Sequence, residues 1–223
     1  MSQSIKRYAI ICLLITSSLY VHAQWGWGNG IKGEGPTVRK TINLEDINGF
    51  SLGVPANVYL SKGKQKIEIK GQKNIIDNIE RDVSRGTWDI EFDKNVKSMK
   101  DLEIYITIPS FKKLGIAGSG SIIGEDAFNN LSNVAVSIAG SGDIEVEGSA
   151  DNLDISIAGS GDVNLKDLKV SSCEVSIAGS GDCEIHVASD LKVSIAGSGD
   201  VKYKGNPDKV KSSIAGSGDV RSF

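Results

Sequence analysis

In the C-terminal half of the chain, apolar and polar residues alternate with a period of two. The apolar positions run Val134, Val136, Ile138, then Leu153, Ile155, Ile157, then Cys173, Val175, Ile177, then Leu191, Val193, Ile195. Each run leads into Gly-Ser-Gly, and a second alternation follows it: Ile144 and Val146, Val163 and Leu165, Cys183 and Ile185, Val201 and Tyr203. A period of two marks strands that bury one face, so each unit predicts strand, turn, strand.

The units are copies of one heptapeptide, Ser-Ile-Ala-Gly-Ser-Gly-Asp. It is complete at 137–143, 156–162, 176–182, 194–200 and 213–219, with a variant first copy at 115–121. The isoleucines Ile116, Ile138, Ile157, Ile177, Ile195 and Ile214 step by 22, 19, 20, 18 and 19 residues. That period is too short for a pair of packed helices and fits one coil of a solenoid. Stacking identical coils at about 4.8 Å supplies the surface that a one-faced strand needs, with each isoleucine on the next. The expected fold is all-β: a right-handed, single-stranded parallel β-helix with coils of about 20 residues.

The corners fall to glycine, which reaches backbone angles closed to other residues and lets neighbouring coils approach. The corner positions are Gly140 and Gly142, Gly159 and Gly161, Gly179 and Gly181, Gly197 and Gly199, and Gly216 and Gly218.

Upstream the repeat is lost, but the alternation persists over 54–60, 66–70, 87–92 and 102–108, with a turn at Arg85-Gly86 and a brief helical turn at 74–78. Residues 37–114 therefore predict degenerate outer coils or a capping subdomain on the same core, and 115–223 the regular coils, together one domain. Residues 24–36, with Trp25, Trp27 and several glycines, predict a mobile leader. Residues 1–23 have the form of a secretory signal peptide: Lys6 and Arg7, an apolar run from Tyr8 to Tyr20, and Val-His-Ala before Gln24. That run is short of the roughly 20 apolar residues of a membrane span.

Charge narrows the partners. The formal net charge is −3, and without Lys6 and Arg7 the mature chain carries 23 basic and 28 acidic residues. Such a balance argues against nucleic acid or an anionic membrane surface. No membrane span is expected in the mature chain.

Several segments together resemble a known family: 50–60 (Phe-Ser-Leu-Gly-Val-Pro-Ala-Asn-Val-Tyr-Leu), Ile67-Glu-Ile-Lys-Gly, Gly86-Thr-Trp-Asp-Ile, 102–109 and the repeated Ile-Ala-Gly-Ser-Gly-Asp. In that order they are similar to the head GIN domain of autotransporter adhesins. The resemblance covers the chain from about Asn43 onward. It implies a parallel β-helix exported by a Gram-negative bacterium to the periplasm, cell surface or medium, with adhesion as its role and no catalytic residues. An autotransporter of that kind ends in a membrane β-barrel, which is not seen before Phe223, so a role without self-export is equally implied.

The chemistry to be explained is a column of carboxylates: Asp143, Asp162, Asp182, Asp200 and Asp219, continued by Ser121. Carboxylates stacked at about 5 Å repel by about 0.8 kcal/mol in water-like surroundings and about 3 kcal/mol at an effective dielectric of 20. Hydrogen bonds from turn amides or serine hydroxyls can offset this. A column of Ca²⁺ ions is the alternative, and calcium is the one cofactor left open. It takes six to eight oxygens, whereas each coil offers a single carboxylate.

Cys173 and Cys183 occupy positions that are Leu or Val in the sister coils. They are either small core residues or a disulfide across one coil. His186 follows Ile185 on its strand and points outward, so Cys183 and His186 make a poor metal pair. A residue repeated in every coil serves what every coil needs, whereas catalysis needs a singular constellation, so no enzyme is expected. In the last coil Ser212 and Ser222 take core positions held by Val193 and Tyr203 one coil earlier, and Asn206-Pro207 breaks the connection. This partly blunts an open end and predicts a monomer or small homo-oligomer. The expected role is a non-enzymatic envelope protein that binds polysaccharide or a surface protein along the solenoid. The alternatives are a structural envelope protein without ligand and a pectin-lyase-like enzyme acting on polysaccharide.

Overall fold

The structure is a computed structural model that describes residues 30–223. The expected signal peptide and the tryptophans of the expected leader lie outside the described residues. Strands account for nearly all the regular structure, and the repeats wind into a β-solenoid of about six turns with coils of roughly 20 residues.

Register is set by the repeat itself. Strand Phe128–Gly140 pairs in parallel with Gly148–Gly159, which pairs with Asp162–Gly179, then Cys183–Gly197, then Lys209–Gly216. In this stack Ile116, Ile138, Ile157, Ile177, Ile195 and Ile214 are direct partners in turn. The first five are at most 3% exposed. A one-residue slip would turn this whole column to solvent, so the burial of one face holds the register.

The winding of one coil shows in its burial pattern. Between Leu153 and Leu165 the buried residues are odd-numbered, at Leu168 and Val170 even, and from Cys173 odd again. The two changes of phase, with the glycine corner near Gly159, give three bends per coil.

Residues upstream of the repeat supply both coils and a cap. Strands Gly49–Leu52 and Asn57–Lys62 pair in parallel with Lys113–Gly118 and Ser121–Gly124, the first repeat coil. Their other edges pair in parallel with Thr87–Ile90 and Glu103–Ile108. The coil that comes second in sequence is therefore outermost in space, and the chain then returns to the inner side to start the repeats. Beyond this outer coil the pairing turns antiparallel. Lys66–Gln72 lies against Glu103–Ile108, and Thr37–Ile42 against Lys66–Gln72. The predicted turn at Arg85-Gly86 has φ of 51° and 76° and closes a hairpin between Val83–Ser84 and Thr87–Ile90. Two successive positive φ values suit the twist of a tight hairpin. The helical turn is Lys73–Ile76, with Ile75 and Ile76 buried.

The cap carries the polar groups that end a sheet, and they are satisfied. Buried Gln72 receives the Lys100 amide at 2.9 Å, and buried Asn78 donates to the Lys94 carbonyl at 2.8 Å. The indole of Trp88, fully buried, donates to the Glu80 carbonyl at 2.9 Å. Part of the expected leader, residues 30–36, lies within the described residues. Ile31–Lys32 pairs with Val96–Ser98, the amides of Ile31 and Gly33 donate to Asn95 and Ser98, and Asn74 clamps Lys32 and Glu34.

Candidate functional site

The glycine corner determines how closely coils can stack. Gly179 has φ +137°, and a Cβ there would lie 2.1 Å from the carbonyl oxygen of Gly159 one coil below. Two residues on, Gly181 is buried, and its Cβ would meet the Gly161 oxygen at 2.2 Å. Backbone packs on backbone at both columns, and no side chain fits between.

The aspartates beside this corner stack in register, with Ser121 opposite Asp143 and Asp143 opposite Asp162. Their carboxylates serve the main chain. Oδ1 of Asp162 accepts the Asp182 amide at 2.9 Å, Asp182 accepts the Asp200 amide at 2.8 Å, and Asp200 accepts the Asp219 amide at 2.9 Å. These three carboxylates each satisfy the amide of the next aspartate, which offsets the repulsion between stacked charges, whereas the Asp162 amide donates to the Gly142 carbonyl at 3.1 Å. The guanidinium of Arg221 adds a cation at 2.9 Å from Asp219 and 3.8 Å from Asp200. Among the described residues no three His, Cys, Asp or Glu side chains converge as metal ligands.

Cys173 and Cys183 are free thiols, 4% and 1% exposed, in columns with Leu153 and Leu191 and with Val163 and Val201. Burial pushes both thiols well above the usual cysteine range. His186 is half-buried between Lys169 and Lys204 of the adjacent coils. Burial, then Lys204 and Lys169, lower its pKa, while Asp167 opposes them.

The broad outward surface is the side that carries Ser-Ile-Ala. While the isoleucines point in, Ser137, Ser156, Ser176, Ser194 and Ser213 form one outward column, and Ala117, Ala139, Ala158, Ala178 and Ala196 another. Together they floor a shallow, largely apolar groove of ≈ 580 Å³ that runs along the solenoid axis. One residue pair to its side lies a charged column: Lys113, Ala135, Asp154, Glu174, Lys192 and Lys211 are successive partners. Lys192 bridges to Glu174 at 2.6 Å. A second groove of ≈ 570 Å³ runs over these charges and Asn133, Asn152, Asp190 and Lys209.

A further outward cluster lies on the N-terminal coils. Tyr59 and Tyr105 stack with centroids 5.1 Å apart, and the Arg39 guanidinium lies over the Tyr105 ring at 4.2 Å. Glu103 joins Lys70 at 2.8 Å and accepts the Tyr105 hydroxyl. The hydrogen bond from Lys70, then that from Tyr105, hold the Glu103 carboxyl below its usual range, and Lys70 is raised in return. The repeat motif does not point to this cluster. Its signal was present, because Tyr59 and Tyr105 each sit between two inward residues, Val58 and Leu60, and Ile104 and Ile106.

No helix of the described residues is long and apolar enough to cross a membrane. A comparison with curated proteins finds no match. Several solved structures share the fold. A putative adhesin from Bacteroides fragilis NCTC 9343 is 22% identical, with a TM-score of 0.71 over 87% of this chain and 100% of that one. A putative lipid binding protein from Parabacteroides distasonis ATCC 8503 is 22% identical, with a TM-score of 0.59 over 86% and 99%. A putative adhesin from Parabacteroides merdae ATCC 43184 is 20% identical, with a TM-score of 0.54 over 86% and 98%. Residues 48–207 match the family model described as "Putative auto-transporter adhesin, head GIN domain", and the chain belongs to that family.

Proposed function

We propose that this protein is a non-enzymatic, exported binding module of the cell envelope, and that it presents its Ser-Ala face to an extended glycan or protein. The observation that supports this reading is the ≈ 580 Å³ groove, which runs across the stacked coils and carries a Ser and an Ala at each of four successive ones, from Ser137 and Ala139 to Ser194 and Ala196. A surface of that kind suits a ligand that is itself long and periodic. In the Asp column, by contrast, Asp162, Asp182 and Asp200 are occupied with main-chain amides, and the cysteines are inside the core.

The test is binding of labelled chain to a panel of surface polysaccharides and envelope proteins. The double variant Ala158→Arg, Ala178→Arg is run beside it. Both alanines are exposed, so the variant keeps the core and blocks the groove. Binding by the wild type and its loss in the variant is the expected result. Equal binding by both moves the contact off this face.

A further inference from the structure

The charged column beside the groove is antisymmetric along the solenoid. From Asp154 it reads acid, acid, base, base: Asp154, Glu174, Lys192, Lys211, one residue per coil and all exposed. The two inner members satisfy each other, with Lys192 on Glu174 at 2.6 Å. Asp154 and Lys211, at the ends, make no ion pair among the described residues, whereas Lys209 next to Lys211 pairs with Asp190 at 3.6 Å.

Such a pattern is complementary to itself reversed. A twofold axis lying in the face, parallel to the strands and between the coils of Glu174 and Lys192, sets a second solenoid antiparallel on the first. It brings Glu174 opposite Lys192 of the second copy and Asp154 opposite Lys211 of the second copy. The neighbouring column, Asn152, Ser172, Asp190 and Lys209, then meets itself as Asn152 with Lys209 and Ser172 with Asp190, with no like charges facing. Serines and alanines lie over serines and alanines, small enough for two sheets to approach closely.

We propose that the partner of this face is a second copy of the chain, docked antiparallel through the Ser-Ala strip and locked by the Asp154–Lys211 pairs. The proposal rests on the adhesin-type reading of the face and names its occupant. The four coils that overlap, at about 4.8 Å each, and a strand run of about 26 Å give roughly 500 Å² of flat face per copy. The total of about 1,000 Å² falls below the range of stable interfaces and in that of weak contacts, so the dimer is expected to be weak and sensitive to salt. Antiparallel solenoids leave their two N-terminal caps at opposite ends, the arrangement by which copies on two facing surfaces would join.

Sedimentation equilibrium of the chain tests this, at low and high salt. The expected result is a monomer–dimer equilibrium that shifts to monomer with salt. Asp154→Lys and Lys211→Asp, each placing like charges in contact, should weaken it by about tenfold or more, and the double exchange should restore it to within about threefold. All these positions are exposed, and unchanged thermal melts confirm that each variant is folded. A chain that stays monomeric at low salt, single exchanges without effect, or a double exchange that restores nothing overturns the proposal. A monomer that still binds a glycan or envelope protein through the groove, and loses it in Ala158→Arg, Ala178→Arg, rejects the dimer and keeps the binding face.

Discussion

Substituting corner glycines separates two costs that the repeat combines. At Gly118 φ is +120° and a Cβ would have nothing within 4 Å, so Gly118→Ala carries only the strain of a backbone conformation that L-residues avoid. That strain is about 1–2 kcal/mol. At Gly179 φ is +137° and the added Cβ would be 2.1 Å from the Gly159 oxygen, 3.0 Å from its carbonyl carbon and 3.1 Å from its nitrogen. Relieving that contact means separating two coils whose strands share a continuous register over the Ser-Ile-Ala-Gly run. Loss of even two of the hydrogen bonds there, with the buried groups left unpaired, adds about 2–4 kcal/mol. Gly179→Ala should therefore cost about 3–6 kcal/mol, and Gly118→Ala about a third of that. Equilibrium unfolding in urea, followed by circular dichroism and tryptophan fluorescence, measures both. If Gly179→Ala is no more destabilising than Gly118→Ala, coil-on-coil contact is not what requires glycine at the corner.

Four other outcomes follow from the structure. Asp182→Asn keeps an acceptor for the Asp200 amide and should be tolerated, whereas Asp182→Ala strands that amide and should cost about 1 kcal/mol in urea unfolding. With the carboxylates so engaged, melting temperature should not change between excess Ca²⁺ and chelator, and a rise that Asp162→Asn with Asp182→Asn abolishes would restore the metal reading. The thiols of Cys173 and Cys183, buried and held protonated, should resist a thiol reagent in the native protein and react fully in denaturant, and rapid native labelling would contradict their burial. Hydrogen bonds from Lys40, at 2.5 Å, and Lys73, at 2.6 Å, lower Asp77 to about 2. A depressed carboxylate stabilises the fold above its unfolded pKa of about 3.9 and loses that contribution as pH falls toward 2. Because the group is partly exposed and screened, Asp77→Asn should cost about 0.5–1 kcal/mol at pH 6 and a small fraction of that at pH 2, and a pH-independent difference would refute the linkage.

The repeat alone determined the solenoid, its coil length, its isoleucine column and its corners, because a period of two between glycine corners every 18 to 22 residues leaves one way to bury a face. The substitution of Ser212 for Val193 and of Ser222 for Tyr203 was equally legible, since register follows the motif. So was the column Asp154, Glu174, Lys192, Lys211, two residues before each motif serine, although its antisymmetry has meaning only once the four side chains share an outward face. The order of the N-terminal coils was not legible. Strands 49–52 and 87–90 both fit a neighbour of the first repeat, and only packing of the whole cap decides which lies inside. Nor was the column Lys169, His186, Lys204, because coil length varies and the slack is absorbed in register shifts between Leu165 and Lys169. The carboxylate-to-amide ladder belonged to tertiary structure as well. Its donor and acceptor are 18 to 20 residues apart, and a hydrogen bond of 2.8 to 2.9 Å depends on a corner geometry that no local pattern encodes.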